Sequence, residues 1–152
     1  YNRDFGIPIT IFRPFNIYGL GQNPSFFIPT IINQLNDQII ELNDSRPKRD
    51  FIHIDDVVKA VYLAIKSNDS EAKIFNLGSG TSTSVKEIVK IIMKFSPKKP
   101  IVKFSEKVRK GEILDTVADI SKIKNELEWQ PNIPLKEGLR SLIISEDRFL
   151  NQ

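Results

Sequence analysis

At 152 residues, of which 40% are hydrophobic, the chain is long enough to form one domain with a sizeable core. It is too short for a dinucleotide-binding enzyme with a separate substrate domain. The absence of cysteine excludes disulfides and thiolate metal sites, and the single histidine, His53, is too little for a zinc site of the usual kind. No apolar run approaches the roughly 20 residues that span a bilayer, so a cytoplasmic protein without a membrane partner is expected.

The net charge of +3 is only weak support for an anionic ligand. Basic residues are scattered, and their densest run is interrupted by Pro100 and Glu106. That run consists of Lys98, Lys99, Lys103, Lys107, Arg109 and Lys110. A solvated surface explains it better than a nucleic-acid patch does, so no nucleic-acid partner is expected.

In chain order, residues 1–5 are expected to be the tail of a helix whose body precedes them. Residues 7–12 are β-branched and aromatic and predict a strand, and their nearly continuous apolar character suits a parallel sheet covered on both faces. Residues 27–35 have helical spacing, with Ser25 as a possible cap. Two short strands are predicted at residues 39–42 and 51–54.

The second half of the chain continues the alternation of strands and helices. Asp55 and Asp56 place two acids at the positive end of an amphipathic helix. The run from Ser84 to Glu87 is a capping box, in which a hydroxyl and a carboxylate satisfy two otherwise unpaired amides. The other elements are predicted as strands at 73–77 and 101–104, a helix from Asp119 or Ser121 to near Trp129, and a final helix over 135–149. Alternating strands and helices predict the α/β class.

Two features that suggest cofactor chemistry are weak. Gly78-Ser-Gly80 follows a strand as a dinucleotide-binding loop would, but Thr83 stands at the position of the third glycine. A structural turn is the better interpretation. Tyr1 could begin a Tyr-x-x-x-Lys pair, but Phe5 stands four residues later, so Tyr1 is interpreted as a helix-packing residue.

The charged candidates are more informative as ligand contacts. Arg49 and Arg109 could hold a diphosphate through paired hydrogen bonds, and Glu112 could accept from a ribose diol. Each arginine alone is better explained by a surface ion pair. Asp50 with Asp55 and Asp56 could suggest acid–base carboxylates, but helix capping explains the latter pair better.

Five blocks in a fixed order carry a family resemblance. They are Arg13-Pro-Phe-Asn-Ile-Tyr-Gly19, Arg49-Asp-Phe-Ile-His-Ile-Asp-Asp56, Phe75-Asn-Leu-Gly78 before Ser84-Val-Lys-Glu87, Arg109-Lys-Gly-Glu112, and Ala118-Asp-Ile-Ser-Lys122 leading to Leu127-Glu-Trp-Gln-Pro131. This series resembles the C-terminal half of the extended short-chain dehydrogenase/reductases, the NAD-dependent epimerases and dehydratases. It is most similar to UDP-glucose 4-epimerase and related nucleotide-sugar epimerases.

The resemblance covers the whole chain and implies a single C-terminal fragment of an NAD-binding Rossmann fold. It would contain the last sheet strands and a small mixed α/β substrate-binding domain. Residues 1–18 and 57–95 would complete the Rossmann-side layer. Residues 19–56 and 96–152 would form most of the substrate-binding domain.

The resemblance also implies a role for each matching position. Pro14 and Phe15 would contact the nicotinamide carboxamide of NAD. The implied substrate contacts are Asn16 and Phe27 near the phosphates, Ile40 and Leu42 at the base, Arg49 and Arg109 on the diphosphate, and Glu112 on the ribose. No metal ligand is implied.

Five positions depart from the family pattern. Phe26 stands where asparagine is frequent and Phe51 where tyrosine is frequent, which removes polar contacts and leaves the sugar and the nucleotide open. Glu112 stands for aspartate. Asn43 stands for glycine, a mild change because asparagine can also adopt a left-handed turn. Pro134 replaces the usual hydroxyl cap of the last helix, and proline is acceptable near a helix start.

The implied function is the recognition half of a UDP-sugar 4-epimerase, whose parent protein passes through a transient 4-keto sugar. The family's glycine-rich loop, its catalytic serine or threonine and its Tyr-x-x-x-Lys would all precede Tyr1. We therefore expect this chain to be inactive alone, with NAD held mainly by the preceding half and a homodimeric parent. A 4,6-dehydratase fragment, a decarboxylase fragment and a non-catalytic nucleotide-sugar-binding module are the alternatives.

Overall fold

The computed structural model describes residues 1–67, 71–105 and 107–150. The helices are α1 (Asn2–Phe5), α2 (Phe27–Asn33), α3 (Ile54–Lys66), α4 (Val85–Phe95), α5 (Ser121–Leu127) and α6 (Leu135–Leu150), and a 3-10 turn covers Gln34–Asn36. The strands are β1 (Thr10–Pro14), β2 (Asn16–Tyr18), β3 (Ile39–Leu42), β4 (Lys48–His53), β5 (Lys73–Leu77), β6 (Ser82–Ser84), β7 (Ile101–Phe104) and β8 (Asp115–Thr116). None of the described helices is both long and apolar enough to cross a membrane.

The strands form small, mainly parallel sheets, which confirms the predicted α/β class. β1 pairs with β5, and β3 pairs with β7, both in parallel. A third sheet is built on β4, which pairs in parallel with β2 and β8 and antiparallel with β6. Because β4 has three partners, it organises the centre of the fold.

Element boundaries differ from the predictions where a partner strand decides them. β1 begins at Thr10 rather than at residue 7, because its ladder with β5 starts at the pair Thr10–Lys73. β4 begins at Lys48 rather than at residue 51, because Lys48 pairs with both β6 and β8. The strands β2, β6 and β8 were not predicted, since two or three residues are too few to show a period of two.

β2 and β4 separate two hydrophobic cores. Successive side chains of a strand point to opposite faces, so Tyr18 and Phe51 pack on one side and Ile17 and Ile52 on the other. The first core is made by α2, β3, α4 and α6 together with Tyr18. The second core is made by β5, α3 and α5 together with Trp129, which is fully buried.

These cores divide the chain differently from the predicted Rossmann-side and substrate-side ranges. α4 was grouped with β1 and β5, but its buried residues lie in the first core beside α6. α5 was grouped with the substrate side, but its Ile123 lies in the second core beside Phe75 of β5. Helical periodicity shows that one face is buried and does not show against which sheet, so only the packing could assign these two helices.

The helix starts test the predicted caps. The capping box of α4 is confirmed, because the Glu87 amide donates to Ser84 Oγ at 3.2 Å and the Ser84 amide donates to Glu87 Oε2 at 2.9 Å. The predicted Ser25 cap of α2 is wrong, since both the amide and the hydroxyl of Ser25 donate to Asn23 Oδ1. His53 ends β4 and caps α3, because its Nδ1 accepts from the Asp55 amide at 3.2 Å.

Candidate functional site

A cavity of about 500 Å³ opens on the Arg49 and Phe51 side of β4. Residues 49 and 51 alternate with the buried Asp50 and Ile52 along β4. The side chains on one face of the strand therefore line the cavity, and those on the other face are buried in the protein interior. Asn16 pairs with Phe51 in the parallel register and joins the same wall. We refer to this space as the first cavity. Its other lining residues are Ser25, Phe26, Phe27, Thr30, Glu41, Leu42, Asn43, Asp44, Pro47, Thr83, Val85, Lys107, Arg109 and Glu112.

Arg49 is held in place by several bonds. Its Nη1 donates to the carbonyl oxygens of Lys48 and Ile113, at 2.8 and 2.7 Å, and its Nη2 pairs with the Glu112 carboxylate. The Arg49 side chain is 25% exposed and that of Glu112 is 18% exposed, so the pair is partly screened from water. These bonds fasten the loop that contains Glu112 to β4 and present a guanidinium and a carboxylate in one wall.

Two further cations line the first cavity from the same loop. The turn from Arg109 to Glu112 is closed by the Glu112 amide, which donates to the Arg109 carbonyl at 3.2 Å. The guanidinium of Arg109 is exposed and makes no hydrogen bond or ion pair within the part of the chain that the structure describes. Lys107 is also exposed. The loop therefore offers two cations to a ligand without first breaking a bond.

The carboxylate of Asp44 also lines the first cavity. Asp44 pairs with Arg46 at 2.9 Å, and the hydrogen bonds from Arg46 hold the pKa of the Asp44 carboxyl below its usual range. Asp44 therefore stays ionised at neutral pH.

Among the described residues, no group of three or more histidine, cysteine, aspartate or glutamate side chains could hold a metal ion.

A second, smaller cavity of about 270 Å³ adjoins the first. The two share Asn16, Phe26, Phe27 and Phe51, and the rings of Phe27 and Phe51 lie 6.3 Å apart. The other residues lining this second cavity are Phe15, Ile17, Gln22 and Ile28. Asn16 is oriented by a 2.9 Å bond from its Nδ2 to the Asp50 carbonyl, so it stands between the two spaces in a defined position.

The structure brings most of the predicted site residues together. The predicted substrate contacts that line the first cavity are Asn16, Phe27, Leu42, Arg49, Arg109 and Glu112. Phe15 lines the second cavity, and Pro14 lies at the end of β1 and lines neither of the two.

Ile40 is the exception among the predicted substrate contacts. It shares a face of β3 with Leu42, but its side chain is fully buried in the first core, whereas Leu42 reaches the cavity. The Ile40 side chain therefore does not line the first cavity, and its contact with a base stays a prediction. Strand alternation gives the two residues the same face and does not tell which one lies deeper.

Asp50 has a structural role that the sequence interpretation missed. Its fully buried carboxylate accepts from the amides of Ser79, Gly80 and Ala118, at 2.7, 2.9 and 3.1 Å, and from the Ser79 hydroxyl at 2.6 Å. Gly78 is required beside it, because a Cβ there would lie 2.6 Å from Asp50 Oδ2. The Gly78-Ser-Gly80 turn thus folds around an acid, as a structural turn. The signal for this role in the sequence was an acidic residue within a predicted strand of apolar residues.

Asp56 likewise serves the fold, and not by capping α3. Its carboxylate, 3% exposed, accepts from the amides of Asn132 and Ile133 at 2.9 and 3.1 Å, and its carbonyl accepts from Trp129 Nε1 at 3.0 Å. The loop between α5 and α6 is thereby fastened to the start of α3. The helix-capping interpretation of Asp56 is corrected, because these partners lie more than seventy positions away.

Fold and site together define an α/β ligand-binding unit with a cation-lined cavity beside an aromatic one. A sequence model described as the NAD dependent epimerase/dehydratase family matches residues 1–78. Since that match covers half of the chain, the chain belongs to the NAD dependent epimerase/dehydratase family.

Two curated relatives are similar over most of this chain. The uncharacterized UDP-glucose epimerase YtcB of Bacillus subtilis (strain 168) is 35% identical over 145 residues, which are 94% of this chain and 46% of that protein. The UDP-glucuronate 4-epimerase of Thermodesulfobacterium geofontis (strain OPF15) is 31% identical, over 94% of this chain and 44% of that protein. The chain thus spans about half the length of the curated relatives it matches.

Solved structures of the same kind agree with the architecture. The UDP-glucuronic acid 4-epimerase from Bacillus cereus, in complex with UDP-glucuronic acid and NAD, aligns with a TM-score of 0.87 at 30% identity, over 98% of this chain and 48% of that one. The UDP-glucose 4-epimerase of Thermotoga maritima with UDP-glucose aligns with a TM-score of 0.85 at 29% identity, over 98% and 49%. The predicted fold, the C-terminal part of an extended short-chain dehydrogenase/reductase, is confirmed.

Proposed function

We propose that this chain is the substrate-binding part of an NAD-dependent nucleotide-sugar epimerase, and specifically of a UDP-sugar 4-epimerase that acts through a transient 4-keto sugar. The observation that carries the proposal is the convergence of Arg49, Lys107 and Arg109 on one cavity that also contains Asn16 and Glu112. A nucleotide sugar requires this combination, because its diphosphate is anionic and its ribose has a diol.

The cations divide into two kinds in this proposal. Arg109 and Lys107 are exposed and take the diphosphate directly, and the planar guanidinium of Arg109 allows two parallel bonds to phosphate oxygens. Arg49 is already bonded to Glu112 and to two backbone carbonyls. It therefore attracts the diphosphate as a fixed positive charge, without binding it directly. Glu112 then has a defined orientation from which its second oxygen accepts a ribose hydroxyl.

The apolar part of the nucleotide has a matching wall. Leu42 lies at the end of β3 and lines the first cavity, beside Phe27 from α2. Leu42 and Phe27 are placed to cover the base, while Asn16 at the boundary of the two cavities donates to the phosphate or to the sugar. Its Nδ2 keeps one hydrogen for that purpose, because a single bond to the Asp50 carbonyl uses only the other.

For NAD, the chain offers Pro14 and Phe15 at the end of β1. The Phe15 amide already donates to the Leu77 carbonyl at 2.9 Å, and proline has no amide hydrogen. Both residues therefore contact a ligand through carbonyl oxygens, which fits the NH₂ group of a nicotinamide carboxamide. NAD, when bound, supplies hydride removal and return at the sugar carbon, and the residues of this chain orient the sugar for it.

The same site serves the alternatives, because a 4,6-dehydratase, a decarboxylase and a binding module all hold the nucleotide in the same way. Catalytic groups outside this chain separate these functions, and we expect the chain alone to be inactive. A nucleotide-sugar turnover assay on the chain, with added NAD, tests that expectation. Epimerised product from the chain alone would contradict it.

Calorimetric titration of UDP, GDP and dTDP into the chain tests the ligand assignment. We expect heat of binding with UDP. If none of the three nucleotides produces heat, the cavity is not a nucleotide site.

Arg109→Ala should weaken UDP binding by about 1.5–3 kcal/mol, the range for hydrogen bonds to a charged group. Lys110→Ala is the matched control, because this exposed neighbour carries the same charge but does not line the cavity. Equal effects of the two variants would place the diphosphate elsewhere.

A further inference from the structure

We infer that the second cavity is the sugar subsite and that it selects a neutral hexose and excludes a hexuronate. The inference deepens the proposed function and rests on it. It follows from the charge, the hydrogen-bonding capacity and the apolar surface of the residues that line the two cavities.

Of the described residues that line the second cavity, none carries a charge. Their polar side chains are the neutral amides of Asn16 and Gln22, and each NH2 group already donates one hydrogen to a backbone carbonyl: Asn16 to Asp50 at 2.9 Å and Gln22 to Ile17 at 2.8 Å. One hydrogen of each amide remains for a ligand. A carboxylate that leaves water needs an opposite charge as well as hydrogen bonds to offset its desolvation. A sugar carboxylate in this cavity would find no cation among these lining residues.

The remaining surface of the second cavity is aromatic and aliphatic. Four phenylalanines line it, Phe15, Phe26, Phe27 and Phe51, together with Ile17 and Ile28. Such a wall gains free energy by covering the C–H faces of a pyranose ring, and it offers nothing to a charged substituent. Hydroxyls of a neutral sugar can still bond to Asn16, because an amide both donates and accepts.

Among the described residues that line the two cavities, the cations lie in the first cavity. Arg49, Lys107 and Arg109 line that space and not the second. With the diphosphate bound there, Lys107 and Arg109 are committed to it and Arg49 stays paired with Glu112. The sugar then extends past Asn16, Phe26, Phe27 and Phe51 into the adjoining cavity. The arrangement thus separates an anion-binding compartment from a neutral one.

Titrations of UDP, UDP-glucose and UDP-glucuronate into the chain test the inference. We expect UDP-glucose to bind more tightly than UDP, and UDP-glucuronate to bind at least about tenfold more weakly than UDP-glucose. Equal affinities for the two sugar nucleotides, or tighter binding of UDP-glucuronate, overturn the inference while the proposed function stands. Absence of UDP binding overturns the proposed function and the inference with it.

A variant with an added positive charge provides a second test, in which the expected result is a gain of binding rather than a loss. Phe26 is 57% exposed at the boundary of the two cavities, so Phe26→Arg introduces a cation there without opening a core. Leu20→Arg is the matched control, since Leu20 is 56% exposed and lines neither cavity. The affinity for UDP-glucuronate, divided by that for UDP, should rise about tenfold in Phe26→Arg and stay constant in Leu20→Arg. An unchanged ratio in Phe26→Arg counts against the neutral subsite.

Discussion

Arg49 and Glu112 form an ion pair that joins β4 to the loop before β8, across 63 positions of the chain. Both side chains also line the first cavity, so one contact positions the loop and orders part of the binding wall. Two groups that sequence inspection assigns separately to a phosphate and to a ribose are therefore coupled before any ligand arrives.

The coupling predicts unequal effects of removing either partner. Glu112→Ala leaves Arg49 bonded to two carbonyls, whereas Arg49→Ala leaves a partly buried carboxylate without its partner. We expect Arg49→Ala to lower the free energy of unfolding by about 1–3 kcal/mol and Glu112→Ala by less. Urea unfolding of both single variants and the double variant measures this. Strictly additive losses would show that the pair is not coupled.

Asp50 should be among the most sensitive positions for stability. Asp50→Ala removes the acceptor of three backbone amides and one hydroxyl, so we expect a loss of about 3–5 kcal/mol or failure to fold. Asp50→Asn keeps one acceptor oxygen and should lose less. Asp119→Ala is the surface control, because its carboxylate accepts only local bonds from Ser121. Thermal unfolding that ranks Asp119→Ala as the more damaging change would refute the role of Asp50.

Gly138 is predicted to resist a substitution that usually stabilises helices. Gly→Ala inside a helix gains about 1 kcal/mol as a rule, but a Cβ at residue 138 would lie 2.9 Å from Tyr18 Cζ and closer still to the hydroxyl. We expect Gly138→Ala to cost about 1–3 kcal/mol through overpacking. Adding Tyr18→Phe should recover part of the loss in unfolding experiments. Ser141→Ala, on the exposed face of α6, controls for helix propensity and should not destabilise.

Tyr18 also predicts a pH dependence. Burial first, and then the negative charges of Asp56 and Glu137, raise the pKa of the Tyr18 phenol above its ordinary 10.0. The folded state therefore holds this proton more tightly than the unfolded state does. Its contribution to stability is complete below pH 10 and is lost as the pH rises through the folded pKa.

Thermal unfolding of the unmodified chain and of Tyr18→Phe, at neutral pH and at about pH 11, separates this contribution from lysine titration. Because the buried Tyr18 hydroxyl has no hydrogen-bond partner among the described residues, Tyr18→Phe should cost little at neutral pH. At alkaline pH the variant should be the more stable of the two. Parallel pH profiles for both proteins would argue against a raised phenol pKa.

Features that depend only on residues close together in the chain could be predicted from the sequence. The capping box of Ser84 and Glu87 needs only residues three apart, and the strand at 73–77 has the observed bounds. The series of motifs also led to six side chains that do line one cavity. What the sequence could not show was long-range: Ile40 lies beneath the cavity wall, Asp50 holds a distant turn, and α4 packs with α6.

The sequence by itself therefore determined the α/β class, the family and the capping box that starts α4, since periodicity and capping are set within a few residues. Only the tertiary structure decided that Arg49 meets Glu112, that Asp50 is buried with four donors, and that the cations line the first cavity and not the second. Those contacts join segments tens of residues apart, and their geometry depends on how sheets and helices pack rather than on any local pattern.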